Sequence, residues 1–280
     1  MDSMNRLSKE DRVRVVSCLV EGNSIRSTVR MTGISKTTIS KLLVELGAFC
    51  SKYQDEAFRN LKLNRIQCDE IWAFVYAKQK NVTVEMLEDR HAGDAWTWTA
   101  IDAETKLIPR WMIGQRGAAE AKAFIDDLAS RLATRVQVTT DGLKVYLNAI
   151  DNAFDGEVDY AMLVKIYGEP SDGPKRYSPA DCIGCKKENK IGNPDPKHVS
   201  TSYVERSNLT MRIGMHRFTR LTNGFSKKIE NHAAAVALFM MYYNFARIHQ
   251  TLRTSPAMAA GVTGKLWSIG DIVALLEKSN

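Results

Sequence analysis

The stretch RIQCDEIWAFVYAK, residues 65–78, has the β-branched and aromatic make-up of a strand, yet Asp69 and Glu70 stand side by side in its middle. Carboxylates are seldom fully buried without a partner. In a regular strand successive side chains point to opposite faces of the sheet. Asp69 is therefore read as the acid with a task, and Glu70 as its neighbour on the other face, supporting the site without coordinating anything.

Outward from this strand the pattern is a mixed α/β order. AWTWTAID (95–102) and KLIPRWMIG (106–114) are further strands, and AAEAKAFIDDLASRLA (118–133) is a helix with Phe124, Leu128 and Leu132 four apart. RVQVTTDG (135–142) is a strand ending in Asp141, YLNAIDNAF (146–154) is helical, and YAMLVKIYG (160–168) is another strand. STSYVERSNLTMRIGMHRF (200–218) and residues from about 226 to 249 read as helices. Residues 169–200, rich in Pro, Gly, Lys and Asp, read as a basic insertion or loop.

Ahead of the sheet, residues 8–21 carry Val13, Val16, Leu19 and Val20 at helical spacing behind Ser8 as N-cap. A helix over 24–31, a turn at Thr32-Gly33, and a helix over 35–46 closed by Gly47 as C-cap follow. Two short helices about a Gly-containing turn make a helix-turn-helix, whose second helix enters the major groove. Its exposed face would carry Lys36, Thr37, Thr38 and Lys41, suited to phosphate and base-edge contacts. A three-helix protein-binding module is the bland alternative. The expected organisation is a small all-α unit over 1–50, a linker over 51–64, a catalytic α/β unit over 65–260 and a helical tail over 261–280.

The chain of 280 residues is 44% hydrophobic and 25% charged, ordinary for a core-forming protein. Its net charge of +7 is concentrated in two segments: 12 Lys/Arg against 7 Asp/Glu over residues 1–65, and 12 against 4 over 175–228. Such patches favour a polyanionic partner, although solvated faces look the same. The start lacks an apolar signal segment, and the most apolar run, residues 233–246, is shorter than the ~20 residues a span needs. Five cysteines in a chain of this size argue against a disulfide framework, so a cytoplasmic protein with no membrane partner is expected.

Asp69, Asp141 and Glu205 are the acids that fall at strand centres, strand ends or helix starts, 72 and 64 residues apart. Singly each has a bland explanation: a paired strand acid, an Asp-Gly turn, a Ser202-x-x-Glu205 capping box. Jointly, three carboxylates on a mixed sheet and a flanking helix can hold two divalent cations about 3.5–4 Å apart for displacement at a phosphodiester. Mg²⁺, or Mn²⁺ in its place, suits such hard oxygen ligands. Asn208, Leu209 and Arg212 fall at i+3, i+4 and i+7 from Glu205 and share its face, where Asn and Arg suit a DNA backbone.

Together the DEIW around Asp69, the TDG around Asp141 and the ERSN of Glu205, with Arg212 seven residues on, resemble the DDE signature of bacterial insertion-sequence transposases, most of all the InsAB type. The ending YYNFARIHQTLRTSPAMAAG (242–261) resembles the Tyr-Asn…Arg-x-His…Thr-Pro ending of transposases and integrases. The resemblance implies an RNase H-like catalytic unit with Asp69, Asp141 and Glu205 as ligands of Mg²⁺. It also implies double-stranded DNA as partner, binding of terminal inverted repeats, 3′-end cleavage and strand transfer into target DNA. Pairing two element ends implies at least a dimer, and the protein would then work at the bacterial nucleoid. Arg212 stands where many relatives carry Lys. Two other readings remain: an RNase H-like nuclease that never joins DNA, and a DNA-binding regulator with a dead catalytic unit.

Inside 169–200, Cys182 and Cys185 have the spacing of a zinc knuckle, with His198 as a third ligand. A structural Zn²⁺ takes four, so two ordinary cysteines in a Lys-rich loop are the preferred reading. Asp102 at a strand end is a substitute acid, and His249 is read as a structural hydrogen-bonder.

Overall fold

The computed structural model describes residues 7–168, 182–219 and 223–277. Residues 169–181 of the expected insertion, 278–280 of the expected tail and 1–6 lie outside them.

Serine caps set the N-terminal helices. Ser8 accepts the Asp11 N–H and opens α1 (Lys9–Val20), and Ser24 accepts the Ser27 N–H and opens α2 (Ile25–Thr32). Gly33 ends α2 in the left-handed region at φ 74°, and Ser35 then caps α3 (Lys36–Ala57).

The expected stop at Gly47 is corrected: α3 runs ten residues past it. Gly47 lies against α8 (Ile229–Met241), where an added Cβ would sit 2.5 Å from the Cα of Ala234. The residue permits two helix backbones to touch, which is a mid-helix use of glycine and not a cap. The expected linker over 51–64 is corrected with it. Residues up to Ala57 are helical, Phe58, Leu61 and Leu63 are buried, and the Leu61 N–H donates to the Arg131 carbonyl at 2.8 Å. What reads as polar and aperiodic is a helix end followed by a buried strap.

One sheet of six strands forms the centre: β1 (Arg65–Val75), β2 (Gly93–Asp102), β3 (Arg110–Gly114), β4 (Val136–Thr140), β5 (Val158–Tyr167) and β6 (Cys182–Ile191). Their order is β3-β2-β1-β4-β5-β6, with β4 parallel to β1 and β5 and the other neighbours antiparallel. A mixed sheet of this order with flanking helices is consistent with the RNase H-like fold. Of the two readings of 169–200, an insertion or a loop, the described part is an ordered insertion over residues 182–191, which form edge strand β6 beside β5. Lys186, Lys187 and Lys190 make that segment look like solvated loop, and they suit an edge strand for the same reason.

Helices cover both sheet faces. On one, α5 (Ala118–Arg131) and α6 (Val145–Phe154) supply Phe124, Leu128, Tyr146 and Ile150 to a core that includes Cys68, Trp98 and Ala100. On the other, α7 (Ser202–Gly214) and α8 enclose Ile71, Ala73 and Ile101. The first core continues without a break into Val15, Val16, Ile39, Leu43 and Leu46 of α1 and α3. A short helix, α4 (Val84–Arg90), lies between β1 and β2, while α9 (Pro256–Ala259) and α10 (Ile269–Val273) close the chain, α10 against α1. Among the described residues no helix is long and apolar enough to cross a membrane.

Candidate active site

The site arises where β4 stops. It pairs with β1 only from Arg65 to Cys68, the last pair being Cys68 with Thr140, and Asp141 follows at once. From residue 69 to residue 74 no described strand pairs on the side of β1 that β4 occupied, and at Val75 a bridge to Ser226 closes the gap. Strand amides alternate between the two neighbours. The Asp69 carbonyl accepts the Thr99 hydroxyl of β2, so the Glu70 N–H faces the vacated side. There the Asp69 carboxylate takes its place as acceptor, at 2.8 Å.

Asp69 and Glu70 do lean toward opposite layers, as expected. Asp69 Oδ2 accepts from Asn208 Nδ2 of α7 at 2.8 Å, while Glu70 accepts the hydroxyl of buried Tyr146 from α6. Glu70, expected on the other face as a support for the site, nonetheless comes close to the other two acids. One carboxylate oxygen from each of Asp69, Glu70 and Asp141 falls within 4.8 Å of the others, because all three reach the gap beyond the end of β4.

Three acids this close repel one another. Burial, then the charges of Glu70 and Asp141, raise Asp69 to a pKa of about 7, against the Glu70 N–H that lowers it. Glu70 is raised as well, by burial first, while the bonds from Tyr146 and Arg116 and the Arg116 charge pull it down. Arg116, in the loop before α5, supplies a compensating charge. Its Nε is 3.0 Å from Glu70 Oε2, its Nη2 is 3.6 Å from Asp141 Oδ2, and its guanidinium lies 4.8 Å from the Trp96 ring centroid. Asp141 Oδ1 in turn accepts the Leu143 N–H at 2.9 Å.

Glu205 sits in the first turn of α7, on the sheet face of Asp69 and one turn before Asn208, but its carboxylate is outside this cluster. It pairs with Lys165 of β5 at 2.7 Å and accepts the Thr201 hydroxyl. The Ser202 capping box, the bland alternative for Glu205, does not form, since Thr201 occupies the N-cap. Asn208, expected at a DNA backbone, is corrected: it is buried and spends its amide on Asp69, leaving its Oδ1 without a partner. Arg212 lies half-buried in the last turn of α7, and Leu209 is exposed.

Lys36, Thr37 and Lys41 are exposed at the start of α3, whereas Thr38 is spent on the Ser35 cap. Cys182 and Cys185 lie exposed on β6, but His198 is turned to Arg65 and Asp195. Among the described residues, Asp69, Glu70 and Asp141 are the one set of three such ligands that gathers, so the zinc set is not assembled. Asp102 is occupied by the amides of Arg65, Glu104 and Thr105, and the His249 ring is bonded to Thr251. Sequence reasoning missed Arg116 and Tyr146. Neither stands in a motif, and each is revealed by its bond to Glu70.

No family model and no curated protein matches the chain. Among solved structures, a piggyBac transposase synaptic complex with hairpin DNA is similar to it at 11% identity and a TM-score of 0.39, covering 99% of this chain and 72% of the other.

Proposed function

We propose that the chain is a DDE-type DNA transposase, which binds the terminal inverted repeats of its element, cleaves their 3′ ends in the presence of Mg²⁺ and joins them to target DNA. The observation that carries the reading is the convergence of Asp69, Glu70 and Asp141 in the gap beyond β4. The donors are all hard carboxylate oxygens that repel one another even with Arg116 beside two of them, so the site fits Mg²⁺ or Mn²⁺. Asp69 and Asp141 would hold the metal, with Glu70 beside them. A bound pair of such ions supplies an activated water or 3′-hydroxyl and neutralises the leaving oxygen.

The protein's own groups prepare that chemistry. Asn208 and the Glu70 N–H fix both oxygens of Asp69, and the Leu143 N–H fixes Asp141. Tyr146 and Arg116 hold Glu70. In this reading Glu205 is the third acid of the DDE pattern, set by α7 on the same face as Asp69 and held by Lys165. Lys36, Thr37 and Lys41 would contact the element ends as part of a DNA-binding unit over 1–50, with catalysis in 65–260. Arg212 would approach terminal DNA, and pairing two ends would require at least a dimer.

The test uses the full chain and a duplex carrying the DNA that flanks its gene. Asp69→Asn, Asp141→Asn and Glu205→Gln should each abolish cleavage in Mg²⁺ while duplex binding persists. Near-normal cleavage by any one removes that residue from the site. Strand transfer of a pre-cut 3′ end separates the transposase from a nuclease, which cuts but never joins. Activity untouched by all three substitutions would leave a DNA-binding regulator.

A further inference from the structure

Away from the acids, the free edge of the sheet carries a pair of thiols. In a regular strand residues three apart face opposite ways. Along β6, however, Lys165 pairs with Cys185, Ile166 with Gly184, and Tyr167 with Cys182, so Ile183 is an extra residue at a bulge. One inserted residue resets the alternation and turns Cys182 and Cys185 to the same side. Both are exposed, Ile183 is 69% exposed, and Cys182 leans over the bulge to the Gly184 carbonyl at 3.3 Å. The Cys185 thiol is raised above its usual value by desolvation, then by its hydrogen bond with Cys182, while the Lys165 ammonium pulls it down.

We propose that Cys182 and Cys185 are a reversible dithiol–disulfide modification site, oxidised by small disulfides such as glutathione disulfide. One cysteine thiolate attacks the oxidant, breaking its sulfur–sulfur bond, forming a mixed disulfide and releasing one small thiol. The second thiolate then attacks the mixed disulfide, closing the Cys182–Cys185 bond and releasing the second small thiol. The two cysteine protons end on the two released thiols, and the two electrons lost by the cysteines reduce the oxidant. The Lys165 ammonium favours the Cys185 thiolate, against the desolvation that raises this thiol. Among the described residues β6 has no strand on its outer side, so its bulge can yield when the bond closes. An exposed bond closed against a strand is of the labile, regulatory kind. Cys50 and Cys68 are buried with thiols raised by burial, and they take no part.

Lys165 links this site to the acids, since it faces Cys185 across the sheet and pairs with Glu205. The chemistry itself does not depend on the transposase reading.

The full-length protein is equilibrated in buffers of varied glutathione and glutathione disulfide, alkylated, digested and weighed. The peptide spanning Cys182 and Cys185 should lose two hydrogens and escape alkylation, with an oxidised fraction that depends on the square of the glutathione concentration. Dithiothreitol should restore both thiols. Cys182→Ser and Cys185→Ser should each carry one glutathione and never the internal bond. The proposal is overturned if the wild-type peptide stays fully alkylatable, carries glutathione adducts alone, or is found joined to Cys18 or to a second chain.

Discussion

At the scale of single residues, Asp69 sets the terms. Its folded pKa of about 7 lies well above the ordinary aspartate value of 3.8, so the folded chain binds this proton more tightly than the unfolded chain. The stabilisation is full below pH ~4 and is lost progressively as pH rises from ~4 through ~7, after which the loss is constant. The shift is worth on the order of 4 kcal/mol for the metal-free protein. Asp69→Asn removes the charge but keeps an acceptor for the Glu70 N–H. Asn208 can turn its amide over and offer its unpartnered Oδ1 to the new Nδ2. The stability of Asp69→Asn relative to wild type, measured by urea unfolding in chelator, should therefore rise from pH 4 to pH 7 by a few kcal/mol. Added Mg²⁺ should stabilise wild type alone. A difference independent of pH would show that the acids do not strain the fold. Asp69 and Asp141 can be singled out in the sequence because Asp69 interrupts a strand pattern and Asp141 ends one. The part played by Glu70 is not legible, because alternation puts it on the other face and only the early end of β4 lets its carboxylate come round.

At the scale of elements, the fold was readable wherever periodicity was long, and misread where one residue has two uses. β1, β2, β4 and β5 and helices α5 to α8 fall where the apolar patterns put them. Gly47 was misread because a glycine after a helical run also marks a C-cap. Its actual neighbour, Ala234, is 187 positions away and invisible to local pattern. Gly47→Ala sets two effects against each other. Helix propensity favours alanine by about 1 kcal/mol. The new Cβ, however, would lie 2.5 Å from the Ala234 Cα and 2.7 Å from its carbonyl oxygen, both backbone atoms that no rotamer moves. Overpacking of this kind costs roughly 1–3 kcal/mol or more, so the clash wins and Tm should fall by several degrees. Ala234→Gly in the same chain removes a methyl but leaves both backbone atoms, so calorimetry of the double variant should show little recovery. Full recovery would mean that side chain alone sets the spacing of α3 and α8.

At the scale of the whole molecule, the expected separation of a DNA-binding unit from a catalytic unit meets a shared core. Val15, Val16, Ile39, Leu43 and Leu46 belong to the same buried cluster as Trp98, Phe124 and Tyr146, and α10 returns to pack on α1. Removing α1 to α3 would uncover Ala234, Ala237, Leu238 and Met241 of α8, an apolar stripe too continuous to leave in water. Separate domains joined by a linker unfold in separate steps, whereas one core unfolds once. The full chain should show a single calorimetric transition, coincident by far-ultraviolet and tryptophan signals. Residues 58–280 expressed alone should lack that transition and aggregate, and residues 1–57 alone should not hold a stable fold. Two resolved transitions, or a soluble and cooperative 58–280, would restore the linker that the buried Phe58, Leu61 and Leu63 argue against. The consequence for the proposed activity is geometric. If the start of α3 holds DNA, its distance to Asp69 and Asp141 is set by the packing of α3 on α8 and the sheet. Loosening that packing at Gly47 should then weaken DNA cleavage more than DNA binding.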